Sequence, residues 1–523
     1  MKKFNVTGLC VPSEDYMVDI GGKIEKIVEL VNSRCYFTIT RARQYGKTTT
    51  LACLEKALMD DYIVISTSFE GLEDESFASS KTFCSAFVRQ IVKALRFSSA
   101  SKEYAERWAD CAPADFQTLS DHVTAMCEDQ KVVLIIDEVD KAGNYRVFLQ
   151  FLGMLREKFL SRKAGKDYTF HSVILAGIHD IKNIRLKMAN DGLYTPAVSD
   201  GAIFNSPWNI AVNFAVDMSF NPAEISTMLA EYENDHHTGM DIAAIAEEIH
   251  GYTNGYPFLV TRICQCVDTE PGGKWTTAGI REAVNILVNE KNTLFDDLVK
   301  NLENHKDLYS LVYDVLIAGA PRTFTVNNPT IGMGAMYGII HGNANGTACV
   351  ANRIFEMVIC DYFISKDETE KKKEVNGVLR RDVVKDGRFD MELCMRGFAE
   401  HCAELFDEKD RKFLERHGRL IFLSYLKPLI NGQGFYHIES QFTDLRRMDI
   451  VVDFGRDQFI VELKIWHGDK YKQEAYGQLL GYMESKKAET GYMLTFDFRK
   501  GVSKQTMAEW VEFDGRRIFD VVV

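Results

Sequence analysis

The stretch CYFTITRARQYGKTTT (residues 35–50) runs an apolar strand into Gly46-Lys47-Thr48 and then into a helix. Gly46, Lys47 and Thr48 fit the second half of the phosphate-binding pattern G-x-x-x-x-G-K-[ST], while Arg41 stands where the first glycine belongs. In that pattern the loop amides at the helix N-terminus face phosphate oxygens. Lys47 is expected to reach the β and γ oxygens, Thr48 to ligate Mg²⁺ through its hydroxyl, and Thr49 to line the nucleotide. A bare Gly-Lys-Thr arises by chance in many chains. The strand before it and the helix after it give it weight.

About ninety residues on, VVLIIDEVDK (132–141) places Asp137-Glu138 at the end of an apolar strand. Ligands of open parallel sheets bind at that carboxyl edge. Asp137 is expected to hold Mg²⁺ through water, and Glu138 to polarise the attacking water. Alone, the pattern more often reads as a buried strand ending in two solvated acids; paired with the lysine loop it reads as a nucleotide site. The strand SVILAGI (172–178) ends in His179 and Asp180. A polar residue there senses the γ-phosphate in related ATPases, although a solvated loop fits as well. NGYPFLV (254–260) opens a helix with Pro257 at its first position.

Further out, apolar strands alternate with helical stretches: residues 35–40, 62–69, 131–137 and 172–178. Strands apolar throughout and separated by helices predict a parallel sheet covered on both faces. From about Pro222 to Gly319 the pattern is nearly all helical. The stretch SKDETEKKKEVNGVLRRDVVKDGR (365–388) has dense mixed charge and few large apolar residues, so it reads as a linker or a solvated helix.

The chain has 523 residues, which suggests roughly three domains of ~150 residues. It is 46% hydrophobic and 26% charged, as soluble globular proteins are. No apolar run approaches the ~20 residues of a membrane span. The N-terminal stretch has lysines but no apolar h-region, so no secretory signal is expected. Twelve cysteines without a CxxC pair predict reduced thiols in a cytoplasmic protein. A net charge of −13 excludes a broadly basic coat for duplex DNA, so nucleic acid would need a local basic groove.

A second constellation lies in GFYHIESQFTDLRRMDIVVDFGRDQFIVELKIW (434–466). MDIVVDF and QFIVELKIW read as two strands joined at Gly455-Arg456-Asp457. Asp449 opens the first. Glu462 and Lys464 lie two apart on the second and so share a face, with Val461, Leu463 and Ile465 turned to the core. Two carboxylates suit a hard cation such as Mg²⁺ or Mn²⁺. A lysine beside them can steady a hydroxide or a phosphate oxygen, which is the machinery of metal-assisted phosphodiester hydrolysis. An isolated E-x-K is more often a solvent-facing ion pair. Glu439 upstream, and Gln478 and Tyr482 one helical turn apart in QEAYGQLLGYMES, argue for a site. Arg446 and Arg447 could contact phosphate or pair with Asp444 and Asp453.

Tyr16-Met17-Val18-Asp19, RARQYGKT and LIIDEVD together resemble the bacterial AAA-ATPase-like family, whose own loop pattern carries an arginine at the Arg41 position. Gly255-Tyr256-Pro257 resembles the G-x-P element of STAND and Orc-like ATPases, which implies that Pro257 packs on adenine. SPWNIAVNFAVDMSF (206–220) looks like the stretch leading into the lid. The second constellation resembles the PD-(D/E)XK nuclease superfamily through Arg447-Met448-Asp449, Glu462-Leu463-Lys464 and Gln478…Tyr482. Arg446 replaces a glycine there, and the proline of the name is absent. Glu415 is a candidate for the helical glutamate of such sites.

These resemblances imply an α/β multidomain chain. Residues 1–220 would form a P-loop αβα domain with a parallel sheet, 221–290 a helical lid, and 291–365 a winged-helix-like segment. Residues 366–388 would be a charged linker, and 389–523 a nuclease-like domain with a mixed sheet. They imply ATP and Mg²⁺ as cofactors, DNA rather than RNA as a partner, no membrane contact, and compatibility with homo-oligomers. The leading expectation is an ATP-regulated, Mg²⁺-dependent nuclease acting on foreign or mobile DNA. The alternative is an ATP-driven switch whose nuclease-like domain binds nucleic acid or protein without cutting. A remodelling ring ranks lower, because no arginine stands out as a finger.

Overall fold

The computed structural model describes residues 2–96, 102–178, 208–269, 273–318, 320–371, 383–405, 411–430, 434–439, 449–466, 469–486, 488–497 and 507–523. The chain divides into two compact units: residues 1–236 with 256–261, and residues 237–255 with 262–523.

The first unit is built on a four-stranded parallel sheet in the order β1-β4-β3-β2. Its strands are β1 (Tyr36–Thr40), β2 (Ile63–Ser68), β3 (Val132–Asp137) and β4 (Ser172–Gly177). All six residues of β3 and all six of β4 are buried, which is why both read as unbroken apolar runs. Alternate residues feed two cores. Leu134, Ile136, Val173 and Leu175 pack with α3 (Ser80–Leu95), α5 (Phe116–Cys127) and α6 (Arg146–Lys163). Val133, Ile135, Ile174 and Ala176 pack with α1 (Gly21–Asn32) and α2 (Lys47–Leu58). The short α4 (Lys102–Ala109) lies against α3. The segment before α7 (Pro222–His236) runs beside β1 through a parallel bridge between Phe37 and Val212. The N-terminal Tyr16 is fixed to α7: its hydroxyl donates to Asp235 Oδ2 at 2.9 Å.

The second unit begins with helices α8 (Ile242–Thr253), α9 (Pro257–Thr269, whose first turn belongs to the first unit), α10 (Thr277–Val288), α11 (Thr293–Asn304) and α12 (Lys306–Leu316). Then come α13 (Pro329–Met336), the hairpin β5 (Ile340–Gly342) and β6 (Ala348–Val350), and α14 (Arg353–Lys371). The hairpin β7 (Val384–Lys385) and β8 (Arg388–Phe389) leads into α15 (Met391–Leu405) and α16 (Arg411–Ile430).

A six-stranded mixed sheet follows in the order β13-β14-β12-β11-β10-β9. Its strands are β9 (Gly434–Glu439), β10 (Asp449–Phe454), β11 (Asp457–Ile465), β12 (Thr490–Phe496), β13 (Met507–Phe513) and β14 (Arg516–Val522). Three strands follow the last helix. The final pair turns at Asp514-Gly515, both with positive φ, as a tight two-residue hairpin requires. Likewise Phe454 pairs with Asp457, so the β10–β11 turn is Gly455-Arg456 alone.

One face of this sheet packs on α17 (Asp469–Lys486) through Ile460, Leu479, Met483, Met493 and Ile518. The other face meets α15 through the ring contact Phe398–Phe496 and α16 through Gly418, which lies against the Phe496 ring. α14 and α16 join this domain to the helices before it. Arg419 caps α12 by donating to the carbonyls of Leu316 (3.1 Å) and Ile317 (2.8 Å). Tyr436 on β9 donates to Asp361 of α14 at 3.0 Å. No disulfide joins the cysteines among the described residues. Among those residues, no helix is long and apolar enough to cross a membrane.

Candidate functional site

β1 delivers the loop 41–46 to the carboxyl edge of the parallel sheet. Gly46 caps α2 with φ 74°, a left-handed conformation that a side chain would strain. Gln44 adopts the same region at φ 55°. Lys47 is 6% exposed, and its ammonium donates to the carbonyls of Arg41 (3.1 Å) and Ala42 (3.0 Å), so the loop curls around it. Burial lowers the Lys47 pKa, opposed by the charges of Glu138, Asp137 and Asp140. Thr48 Oγ1 donates to Asp137 Oδ2 at 3.1 Å, bringing together the two residues read as Mg²⁺ ligands. Asp137 Oδ1 accepts from the Glu138 amide at 2.8 Å. Glu138 sits at φ 51°, a conformation rare outside glycine and frequent at functional sites. Burial raises its pKa, with Lys47 pulling the other way.

Thr49 faces the N-terminal segment instead: its hydroxyl accepts from the Cys10 amide at 3.2 Å. Pro257 lies beside Gly46, its Cβ 3.8 Å from where a Cβ on that glycine would stand. Tyr256, which the motif reading passed over, donates its hydroxyl to the Arg43 carbonyl and sets its ring edge-on to Tyr45 at 4.7 Å. Arg41 turns away from the loop. Its guanidinium donates to the carbonyls of Thr40 and Val216 at 2.8 Å each and lies 5.4 Å from the Phe214 ring centre. Asp140 accepts from the Ile178 amide and so ties the end of β4 to the loop after β3. His179 lies outside the described residues.

The second constellation assembles on the mixed sheet. Glu462 is fully buried and Lys464 is 4% exposed; the two are in direct ionic contact. Lys464 Nζ also donates to Gln478 Oε1 of α17 at 2.9 Å. The E-x-K face is therefore roofed by a helix and not turned to solvent. Val461 and Leu463 on the other face are buried too, so the core lies on both sides of β11. Tyr482, one turn after Gln478, is half-buried against the same helix–sheet core.

Backbone register places Asp449 opposite Glu439. Ile450 pairs with Val461, so one step further Asp449 is level with Glu462. The same row continues through Met493 to Asp520 and Glu509. Arg447 lies outside the described residues, as do Asp444 and Arg446. Glu415 lies on α16.

Asp520 has no counterpart in the sequence reading. It is 2% exposed on β14 and accepts from Tyr476 (2.7 Å), with Lys472 paired to the same oxygen. Lys472 and Tyr476 share one face of α17, so this cluster pins the helix that presents Gln478. The available signal was a lysine and a tyrosine four apart on that helix. Asp520→Ala is expected to destabilise the protein by about 2–3 kcal/mol, measured as a lowered urea midpoint, because it leaves the buried Tyr476 hydroxyl unsatisfied. Asp520→Asn, whose amide oxygen still accepts from Tyr476, should recover most of that loss.

The fold and the lysine loop define a P-loop ATPase class of domain. A family model for the AAA-like domain matches residues 17–324, and the chain belongs to that family. Among solved structures, a Walker-type ATPase of Pyrococcus abyssi is 11% identical, with 68% of this chain and 99% of that one covered at a TM-score of 0.45. The ADPNP–ADP form of the Aeropyrum pernix ORC2 protein is 13% identical, with 66% and 94% covered at a TM-score of 0.35. The ORC1 protein of the same organism, in complex with DNA, is 10% identical, with 66% and 93% covered at a TM-score of 0.29. No curated protein matches the chain in sequence.

Proposed function

We propose that the chain binds and hydrolyses ATP at the Lys47 loop and that its C-terminal domain is a metal-dependent nuclease of the PD-(D/E)XK kind, acting on foreign or mobile DNA under the control of that nucleotide. Residues 1–220, 221–290, 291–365 and 389–523 would then be ATPase, lid, winged-helix-like segment and nuclease, with 366–388 as the charged connection.

The donor sets fit hard cations. Thr48 and Asp137, already hydrogen-bonded, offer a hydroxyl and a carboxylate; Asp449 and Glu462 offer two carboxylates. A Mg²⁺ or Mn²⁺ held there would supply Lewis acidity and an acidified water. The protein's own residues do the rest. Lys47 neutralises phosphate charge, Glu138 accepts a proton from water, and Pro257 closes on the base side. Lys464 steadies charge on a scissile phosphate, and Gln478 fixes the lysine's position.

The observation that carries the nuclease reading is the buried Glu462–Lys464 pair bonded to Gln478, with Asp449 level in the next strand. A charge pair buried under a helix contributes little to stability over a packed apolar pair, so its presence there favours a role in chemistry. One feature favours the second reading, a switch that binds without cutting: Glu462 is fully buried, so a substrate phosphate needs α17 to yield. The test is cleavage of single-stranded DNA, duplex DNA and RNA with Mg²⁺ or Mn²⁺, with and without ATP. DNA cleavage that EDTA abolishes and ATP modulates is the expected result. Nucleic-acid binding with no cleavage under any of these conditions would leave the switch.

A further inference from the structure

Two lid helices grip the sheet that carries the candidate nuclease row. Asp453 on β10 is 5% exposed and lies four residues from Asp449, hence on the same sheet face. Arg281 of α10 reaches it, with Nη1 3.9 Å from Asp453 Oδ1. The same guanidinium donates through Nε to Glu248 of α8 at 3.0 Å. Gln458 of β11 also donates to Asp453, at 2.7 Å. The cross-strand neighbour of Asp453 is Phe435. Its ring meets Tyr252, in the last turn of α8, edge-on at 6.5 Å. One cross-strand pair is thus held by both helices, one residue by charge and the other by a ring.

Tyr252 is also close in sequence to the nucleotide loop's partner. Thr253 ends α8. Asn254 (φ 46°) and Gly255 (φ 71°) follow, both left-handed, and Tyr256-Pro257 comes next. Asn254 donates to the Ala351 carbonyl at 3.1 Å, which fixes the near side of this turn. Tyr256 is bonded to Arg43 of the loop. Three residues separate Tyr252 from Tyr256 along the chain.

We propose that the Phe435–Asp453 pair is the transmission element of the protein. Nucleotide on the Lys47 loop acts on Tyr256-Pro257. The 253–255 turn passes that displacement to Tyr252 and, through Glu248, to Arg281. These two shift the β9–β10 ladder on which Glu439 and Asp449 lie. This rests on the reading of the loop as an ATP site; the readout below does not require cleavage.

The test is amide hydrogen exchange in residues 434–439 and 449–454 with and without ATP and Mg²⁺, alongside a separate ATP-binding titration. In the wild type, ATP is expected to change exchange there by about fivefold or more. Arg281→Gln and Asp453→Asn should bind ATP as the wild type does, yet lose that change. Arg281→Lys, which keeps a cation in place, should retain part of it. ATP binding with no change in wild-type exchange would overturn the transmission element alone, as would an undiminished change in both variants. Failure of the wild type to bind ATP would overturn the ATP-site reading and the transmission element with it.

Discussion

Lys47→Ala is expected to weaken ATP binding by about a hundredfold and to abolish turnover, read by titration calorimetry and phosphate release. The ammonium is nearly sealed from water and rests on two loop carbonyls. A charge-assisted contact to phosphate contributes about 1.5–3 kcal/mol. At the upper end that is about a hundredfold in affinity. Equal binding by variant and wild type would remove the nucleotide assignment. Arg41 supplies the contrast. Its guanidinium is engaged by the Thr40 and Val216 carbonyls. Loss of Arg41 should therefore lower thermal stability far more than it lowers ATP affinity.

Glu462→Gln is expected to remove metal-dependent cleavage by about 10³-fold, on the basis that a metal-held carboxylate contributes several kcal/mol to the transition state. Glutamine is the informative replacement because it keeps the volume and a hydrogen-bond acceptor beside Lys464. Glu462→Ala would strand a buried ammonium and cost about 3–5 kcal/mol of stability, confusing lost folding with lost chemistry. Lys464→Met tests the partner with the stem preserved and should also abolish cleavage. Cleavage unchanged in Glu462→Gln and Lys464→Met would discard the nuclease site while leaving the ATPase untouched. Melting temperatures of these variants, read beside the cleavage rates, separate the two effects.

The parallel sheet was legible because each of its central strands is apolar on both faces, a pattern that only a doubly covered strand requires. Its functional edge was legible for a related reason. Gly46 must be left-handed, Lys47 opens a helix, and Asp137 ends a buried strand, so the chemistry is punctuated by backbone constraints. The terminal hairpin was less legible. Met507–Phe513 alternates exposed and half-buried residues at the edge of the sheet, so it carries a weaker apolar signal than a central strand.

Glu462 and Lys464 show where sequence reading stops. The period of a strand places them on one face, and that much follows from spacing. Whether the face meets water or a helix depends on where α17 packs, and a common E-x-K reads the same in both cases. Asp520 is the extreme instance. In RRIFDVV it is one acid in a strand, and only the approach of Lys472 and Tyr476 from a helix some forty residues earlier gives it a role. The grip of Arg281 and Tyr252 on β9 and β10 joins residues more than 150 positions apart. Local propensity and periodicity act over a few residues, so the sequence alone determined the strands of the parallel sheet, the phosphate loop and the shared face of Glu462 and Lys464. Burial and pairing between distant elements are properties of packing, and only the tertiary structure decided that the charged face lies under a helix and which residues of α8 and α10 meet β9 and β10.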